Sequence, residues 1–130
     1  MKTLFYNSIY CKLCDDSIQS YYGHDYKHCK CGNAIVDGGL IYARWGWGEE
    51  NSVINFSMNI EDHPFSLIRQ YYYRWNNRIG EYVILKDIDD SWLQAILDFY
   101  IPGPNKVAPM RNEYLTLFLM EKQYRFYGEE

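Results

Sequence analysis

Outside positions 11–31 this 130-residue chain has no cysteine. It also lacks any stretch approaching the roughly eighteen consecutive apolar residues of a membrane-spanning helix, so no membrane partner is expected. Positive charge is scarce as well. Thirteen Lys and Arg face 17 Asp and Glu, for a net charge of −4. Phosphate-driven binding to duplex DNA or RNA needs the opposite sign, so nucleic acid is not an expected partner. The opening MKTLFYNSIYCK has one lysine and no extended apolar segment before polar Asn7. It does not read as a signal peptide, and a cytoplasmic location is expected, where thiols stay reduced. There is no Ser/His/Asp set, phosphate-binding glycine loop or carboxylate pair at a telling spacing. Asp62-His63 is one acid beside one base, too little to carry a reaction. The expectation is a protein that is not an enzyme.

The four cysteines that are present follow the pattern C-x2-C, fourteen residues, C-x-C. Disulfides need an oxidising compartment. A thioredoxin-type redox pair needs a strand-to-helix context that NSIYCKLCDD lacks. Two short-spaced thiol pairs are what a tetrahedral zinc site uses. Cys11, Cys14, Cys29 and Cys31 are therefore the predicted zinc ligands. Gly32, just after the second pair, can take the positive φ that a tight turn near a metal requires. His24 and His28 lie inside the loop and are alternative ligands, but four thiolates already complete the shell. Such a closed site is structural rather than catalytic.

Aromatic residues make up 18% of the chain, and fourteen of them are tyrosines. That excess suits a thin core or a contact surface, and a thin core is the commoner cause. Ala34–Val36 reads as a strand, Asp37-Gly38-Gly39 as a turn and Leu40–Trp45 as a second strand. Arg44, Trp45 and Trp47 form either a recognition patch or two core tryptophans beside a solvated arginine, core packing being the more frequent fate. In SVINFSMNI, Ile54, Phe56, Met58 and Ile60 alternate with Val53, Asn55, Ser57 and Asn59. The period of two predicts a half-buried strand with the first set inside. Phe65, Ile68, Tyr72 and Trp75 then recur at helical spacing. Arg69, Arg74 and Arg78 beside them bind phosphate or, more commonly, form a solvated face. Tyr71, Tyr73 and Arg74, off the predicted buried face, are a second candidate binding group. NNRIG reads as a turn, EYVILK as a strand, and Asp87 or Asp89 as the cap of a helix buried through Leu93, Ile96, Leu97 and Tyr100. After a loop, IPGPNKVAP, a last helix from about Met110 to Tyr124 buries Tyr114, Leu117, Phe118 and Tyr124, and the final YGEE frays. The fold class is α+β: an N-terminal four-cysteine zinc ribbon (1–48) joined to a small antiparallel sheet with helices packed on one face (49–130). The two parts are expected to pack as one unit, with zinc supplying stability that the ribbon's own core lacks.

The stretch CKLCDDSIQS, followed by HDYKHCKCGNAIVDGGLIYAR, resembles a family of small zinc-ribbon proteins of phages and bacteria whose activity is not known. The matching residues are the cysteines with Asp16, Ile18, Ser20, His24, Asp25, Tyr26, Val36, Asp37, Gly38, Gly39, Tyr42 and Arg44. HPFSLIRQYYYRW and YVILKDIDDSWLQAIL resemble the segments that follow in tailed-phage versions. The resemblance implies a phage or prophage accessory protein in the host cytoplasm, and no reaction. The function expected is non-catalytic binding to a host protein, antagonism of host defence being one such role. The alternative is a small-molecule sponge holding a nucleotide signal, with Tyr71, Tyr72, Tyr73 and Arg74 as the first place to look.

Overall fold

The computed structural model describes residues 2–100 and 112–127. The chain forms two compact units, Met1–His63 and Pro64–Glu130. Its class is α+β, and every described strand pair is antiparallel. The first unit runs past residue 48, where the sequence suggests that the ribbon ends. The segment after the tryptophans returns to pair with the strand that carries Cys11.

The first unit has strands β1 (Leu4–Tyr6), β2 (Ser8–Cys11), β3 (Asp16–Gln19), β4 (Lys27–His28), β5 (Ala34–Asp37), β6 (Arg44–Trp47), β7 (Val53–Asn55) and β8 (Met58–Asn59). They make two three-stranded sheets, β3-β2-β7 and β4-β5-β6, and the pair β1-β8. Ile9, Cys11, Cys29, Ala34 and Val36 form one buried cluster where β2 meets β5, with Cys14, Ile18 and Val53 packed against it.

The expected strand Leu40–Trp45 begins only at Arg44. Gly38 (φ 99°) and Gly39 (φ 55°) set up a turn in which the Gly38 carbonyl accepts from Ile41 and Tyr42 N–H at 3.0 and 3.2 Å. A Cβ on Gly38 would lie 2.0 Å from the Tyr42 carbonyl oxygen, and one on Gly39 2.4 Å from Tyr22 Cα. Both positions therefore need glycine for conformation and for space.

The alternating segment 53–60 is two short strands followed by a 3-10 turn at Ile60, and at Val53 and Ile54 the expected faces are exchanged. Residues opposite one another on a ladder share a face. Val53 lies opposite Cys11 and Ile54 opposite Tyr10. Cys11 is buried, so Val53 turns inward, while Ile54 is 40% and Phe56 49% exposed. Met58 and Ile60 are half-buried. The break has a local cause. Asn55 Oδ1 accepts the Ser57 N–H at 2.9 Å, a side-chain turn that bends the chain. Ser57 Oγ then accepts the Ser8 N–H at 3.0 Å.

The second unit contains α1 (Phe65–Ile68), the hairpin β9 (Tyr73–Asn76) and β10 (Glu81–Ile84), α2 (Asp90–Tyr100) and α3 (Asn112–Tyr127). The helix expected to continue to Trp75 stops after one turn. Tyr and Trp favour strands, and the Asn76–Gly80 turn, closed by Gly80 N–H on the Asn76 carbonyl at 2.8 Å, folds β9 onto β10. Trp75 and Tyr82 then face each other across the hairpin with ring centroids 4.9 Å apart. Tyr72, buried, stacks on Tyr114 (5.4 Å, 5°) and meets Phe118 edge-on. Helix α2 buries Leu93, Ile96 and Leu97, as the periodicity predicts. Asp89 caps it, Oδ1 accepting the Trp92 N–H at 2.7 Å.

Helix α3 buries Leu117 and Phe118 as expected, and also Leu115 and Glu121, while Tyr114 and Tyr124 are half-buried. Arg69 is not part of a solvated face. Its guanidinium grips the buried Glu121 carboxylate through two bonds of 2.8 Å, and Arg125 Nε adds a third at 2.7 Å. The expected loop 101–109, the helix start near Met110 and residues 128–130 of the expected frayed YGEE lie outside the described residues, while Tyr127 still belongs to α3.

Candidate metal centre

Two tight turns, one from each three-stranded sheet, carry the four thiols. Cys11 ends β2, and Lys12–Asp15 turn back into β3, with Asp15 at φ 52°. Cys29 follows β4. The chain reverses over Lys30–Gly32 and enters β5, with the Gly32 N–H on the Cys29 carbonyl and the Cys29 N–H on the Ala34 carbonyl, each at 3.0 Å. Gly32 sits at φ 78° with open space where a Cβ would be, so its requirement is one of backbone conformation alone. Packing β2 on β5 brings the two turns together.

The Sγ atoms of Cys11, Cys14, Cys29 and Cys31 all lie within 4.8 Å of one another. Cys11–Cys31 is 3.8 Å and Cys29–Cys31 is 3.6 Å. A tetrahedron of thiolates around a metal at about 2.3 Å has edges of about 3.8 Å, so the spacing fits one ion at the centre. All four thiols are free rather than disulfide-bonded. Cys11 and Cys29 are fully buried, Cys14 is half-buried and Cys31 is exposed.

Donors around the sulfurs favour thiolates. The Ala34 N–H donates to Cys29 Sγ at 3.2 Å, and Asn33 Nδ2 to Cys11 Sγ at 3.4 Å. Burial pushes the Cys29 thiol up, but the Ala34 N–H and the neighbouring thiols outweigh it and bring it down to about 6. Burial pushes Cys14 up, to about 12, and the surrounding sulfurs add to the rise. Burial pushes Cys11 up too, but its thiol accepts from Asn33 and, like Cys29, is held below the usual thiol range. A cation at the centre relieves the repulsion that keeps the other protons in place.

Asn33 is a functional residue that the motif pattern does not single out. Besides Cys11, its Nδ2 donates to Ser52 Oγ at 2.9 Å, and its Oδ1 accepts from the Gly48 and Glu49 N–H groups at 3.0 and 2.8 Å. It ties the second turn to the segment leading into β7. Its position between CxCG and the β5 run was the one available signal. Asp16 Oδ2 accepts the Lys30 N–H at 2.9 Å, joining the two turns directly. Ser20 Oγ donates to the Asp25 carbonyl at 2.7 Å and accepts the Gly39 N–H at 2.9 Å. Asn7 Nδ2 donates to the Asp37 and Gly39 carbonyls, each at 2.9 Å. The Asp-Gly-Gly turn is thereby fastened to the loop between the cysteine pairs.

His24 and His28 stand outside the thiol cluster. His28 Nδ1 is 2.9 Å from the Cys29 carbonyl, and His24 Nδ1 is 3.4 Å from the Tyr42 hydroxyl. The tryptophans of β6 are not core residues. Trp45 and Trp47 point to the same side as buried Val36 and Ala34, their ladder partners, but are 36% and 47% exposed. Their rings stack at 5.3 Å, with exposed Arg44 next to them. The second candidate group is dispersed. Tyr73 is buried, Tyr71 is exposed, and Arg74 Nη2 donates to the Tyr100 hydroxyl at 3.0 Å while its guanidinium lies over that ring.

A family described as a domain of unknown function (DUF7695) matches residues 3–47. The match takes in β1 to β6 with both cysteine turns and leaves out the strands after Gly48 and the whole second unit. No curated protein and no solved structure matches the chain.

Proposed function

We propose that the protein is a non-catalytic, zinc-stabilised binding protein that recognises another protein through the exposed face of β6. The observation that carries this is the stacked Trp45–Trp47 pair beside Arg44. Tryptophan and arginine are the residue types most enriched where binding energy concentrates. Zinc is the ion that best suits four thiolates at tetrahedral spacing in a closed shell. It holds the two turns that position β5, and through β5 the strand β6. The resemblance to phage and bacterial zinc-ribbon proteins makes a host protein the partner under this reading, a defence component being one class. The nucleotide-sponge alternative draws no support from the second unit, because the cluster Tyr71–Arg74 is split between core and surface.

Elemental analysis of protein purified without chelator should find about one zinc per chain. Cys14→Ser should abolish that content and the folded state, since structural zinc contributes about 10–16 kcal/mol of apparent binding energy. Trp45→Ala combined with Trp47→Ala should keep the zinc and lose a stoichiometric partner captured from host lysate. If the double variant captures that partner as well as wild type does, the β6 face is not the recognition surface.

A further inference from the structure

Strand β6 is the outer strand of its sheet, and its main-chain bonding has a definite phase. The Gly48 N–H donates to the Asn33 carbonyl at 2.9 Å, and the pairs Ile35–Gly46 and Asp37–Arg44 follow at steps of two. On the other side of β5, the Cys29 N–H bonds the Ala34 carbonyl, so Ala34 and Val36 serve β4. Bonded residues alternate along an antiparallel ladder. Arg44 and Gly46 therefore direct their N–H and C=O groups at β5, and Trp45 and Trp47 direct theirs at the open edge. Among the described residues no main-chain bond outside the β5 ladder reaches either tryptophan.

We propose that this edge is a homodimer interface, in which β6 pairs antiparallel with β6 of a second copy about a two-fold axis through Gly46. Strand phase and charge agree on that register. Trp45 falls opposite Trp47 of the second copy, both with outward main-chain groups, so each of these pairs exchanges two hydrogen bonds. Gly46 falls opposite itself in a non-bonded pair, where Cα atoms approach to about 4.5 Å. Arg44 falls opposite Gly48, beside the exposed Glu49 and Glu50 of the other copy, and the symmetry repeats this match.

The two-fold runs through the sheet, so the four tryptophans stand on one side and continue the apolar faces that begin at Ala34 and Val36. The edge, though short, carries few of the other devices that block pairing. It has no proline, its ladder with β5 runs without a register shift, and its single charge is complemented rather than repelled. Only four residues per strand take part. So short a pairing should make association depend on concentration. The inference is independent of a host partner, and the dimer would present two tryptophan stacks side by side.

Sedimentation velocity of the full zinc-loaded chain, from micromolar to near-millimolar concentration, should show a monomer passing to a dimer. Gly46→Lys places like charges opposite each other on the axis. A Cβ there meets only Ile35 Cγ1 at 3.4 Å and Cδ1 at 3.6 Å, so the monomer should keep its fold and zinc. That variant should stay monomeric, as should Gly46→Asp, and an equimolar mixture of the two should recover the dimer. A wild type that remains monomeric throughout, or a Gly46→Lys protein that dimerises as well as wild type, overturns the proposal. A wild type that dimerises but captures no host partner would count against the functional reading alone.

Discussion

At positions 53 and 54 one step along the chain separates core from solvent. Val53 shares its face with buried Cys11, and Ile54 shares its face with Tyr10 on the outside. Val53→Asp should cost several kcal/mol in denaturant unfolding, because the carboxylate enters the thiol cluster's apolar surroundings without a partner. Ile54→Asp should change stability by about 0.5 kcal/mol or less, as surface substitutions do. The opposite ranking would mean that β7 pairs one residue out of register. Gly39 makes a second contrast with Gly32. Both have positive φ, but only Gly39 is crowded by the Tyr22 backbone. Gly39→Ala should prevent folding of the first unit, whereas Gly32→Ala should lower its melting temperature and leave the fold in place. Circular dichroism melts of the two variants would separate conformational strain from collision.

Helices α2 and α3 differ in what holds them. Helix α2 is read from its apolar period and its cap. The Trp92 N–H and the Ser91 hydroxyl hold the Asp89 carboxyl below the usual aspartate range. Its folded-state pKa is depressed, so the cap's contribution is present above the unfolded-state pKa and is lost as pH falls through the folded value. Asp89→Ala should therefore lower the melting temperature by a few degrees near neutral pH, and the difference from wild type should vanish in acid. Helix α3 depends on an ion cluster instead. Glu121 is fully buried between Arg69 and Arg125, which also reaches Asp90 at 2.9 Å. Removing the carboxylate takes from the partly buried Arg69 guanidinium its carboxylate partner, while Arg125 keeps Asp90. Glu121→Ala should cost about 3–5 kcal/mol in urea unfolding, well beyond the loss of the α2 cap. An effect no larger than that of Asp89→Ala would show that the cluster is solvated in solution.

Across the whole molecule, the four clustered thiols and the α-helices lie in different units. A strong chelator should unfold Met1–His63, whose buried cluster includes two of the ligands themselves. The second unit buries its own set of residues, Ile68, Leu85, Leu93, Leu97, Leu117 and Phe118 among them, and should hold its helical signal. Far-ultraviolet circular dichroism before and after chelation should thus retain its helical bands while cysteine reactivity rises from none to four per chain. Simultaneous loss of both signals would mean that the two units fold as one.

The four-thiol cluster was legible from the sequence because ligand chemistry is local: two short thiol spacings and a glycine specify two turns whatever surrounds them. Helix α2 was legible for the same reason, since its stripe and cap lie in one short run of chain, residues 89–100. The faces of β7 and the fate of Phe65–Trp75 were decided by partners distant in the chain. In 53–60 both alternating sets contain apolar residues, and only the pairing with β2 chose Val53 over Ile54. Helical spacing in 65–75 was real, but β10, beyond the Asn76–Gly80 turn, offered Tyr73–Asn76 a ladder. The tryptophans show the limit most directly. Their direction is that of Ala34 and Val36, yet they are exposed because β6 is the last strand of its sheet. An edge is a property of the assembled sheet, and no residue in Arg44–Trp47 encodes it alone.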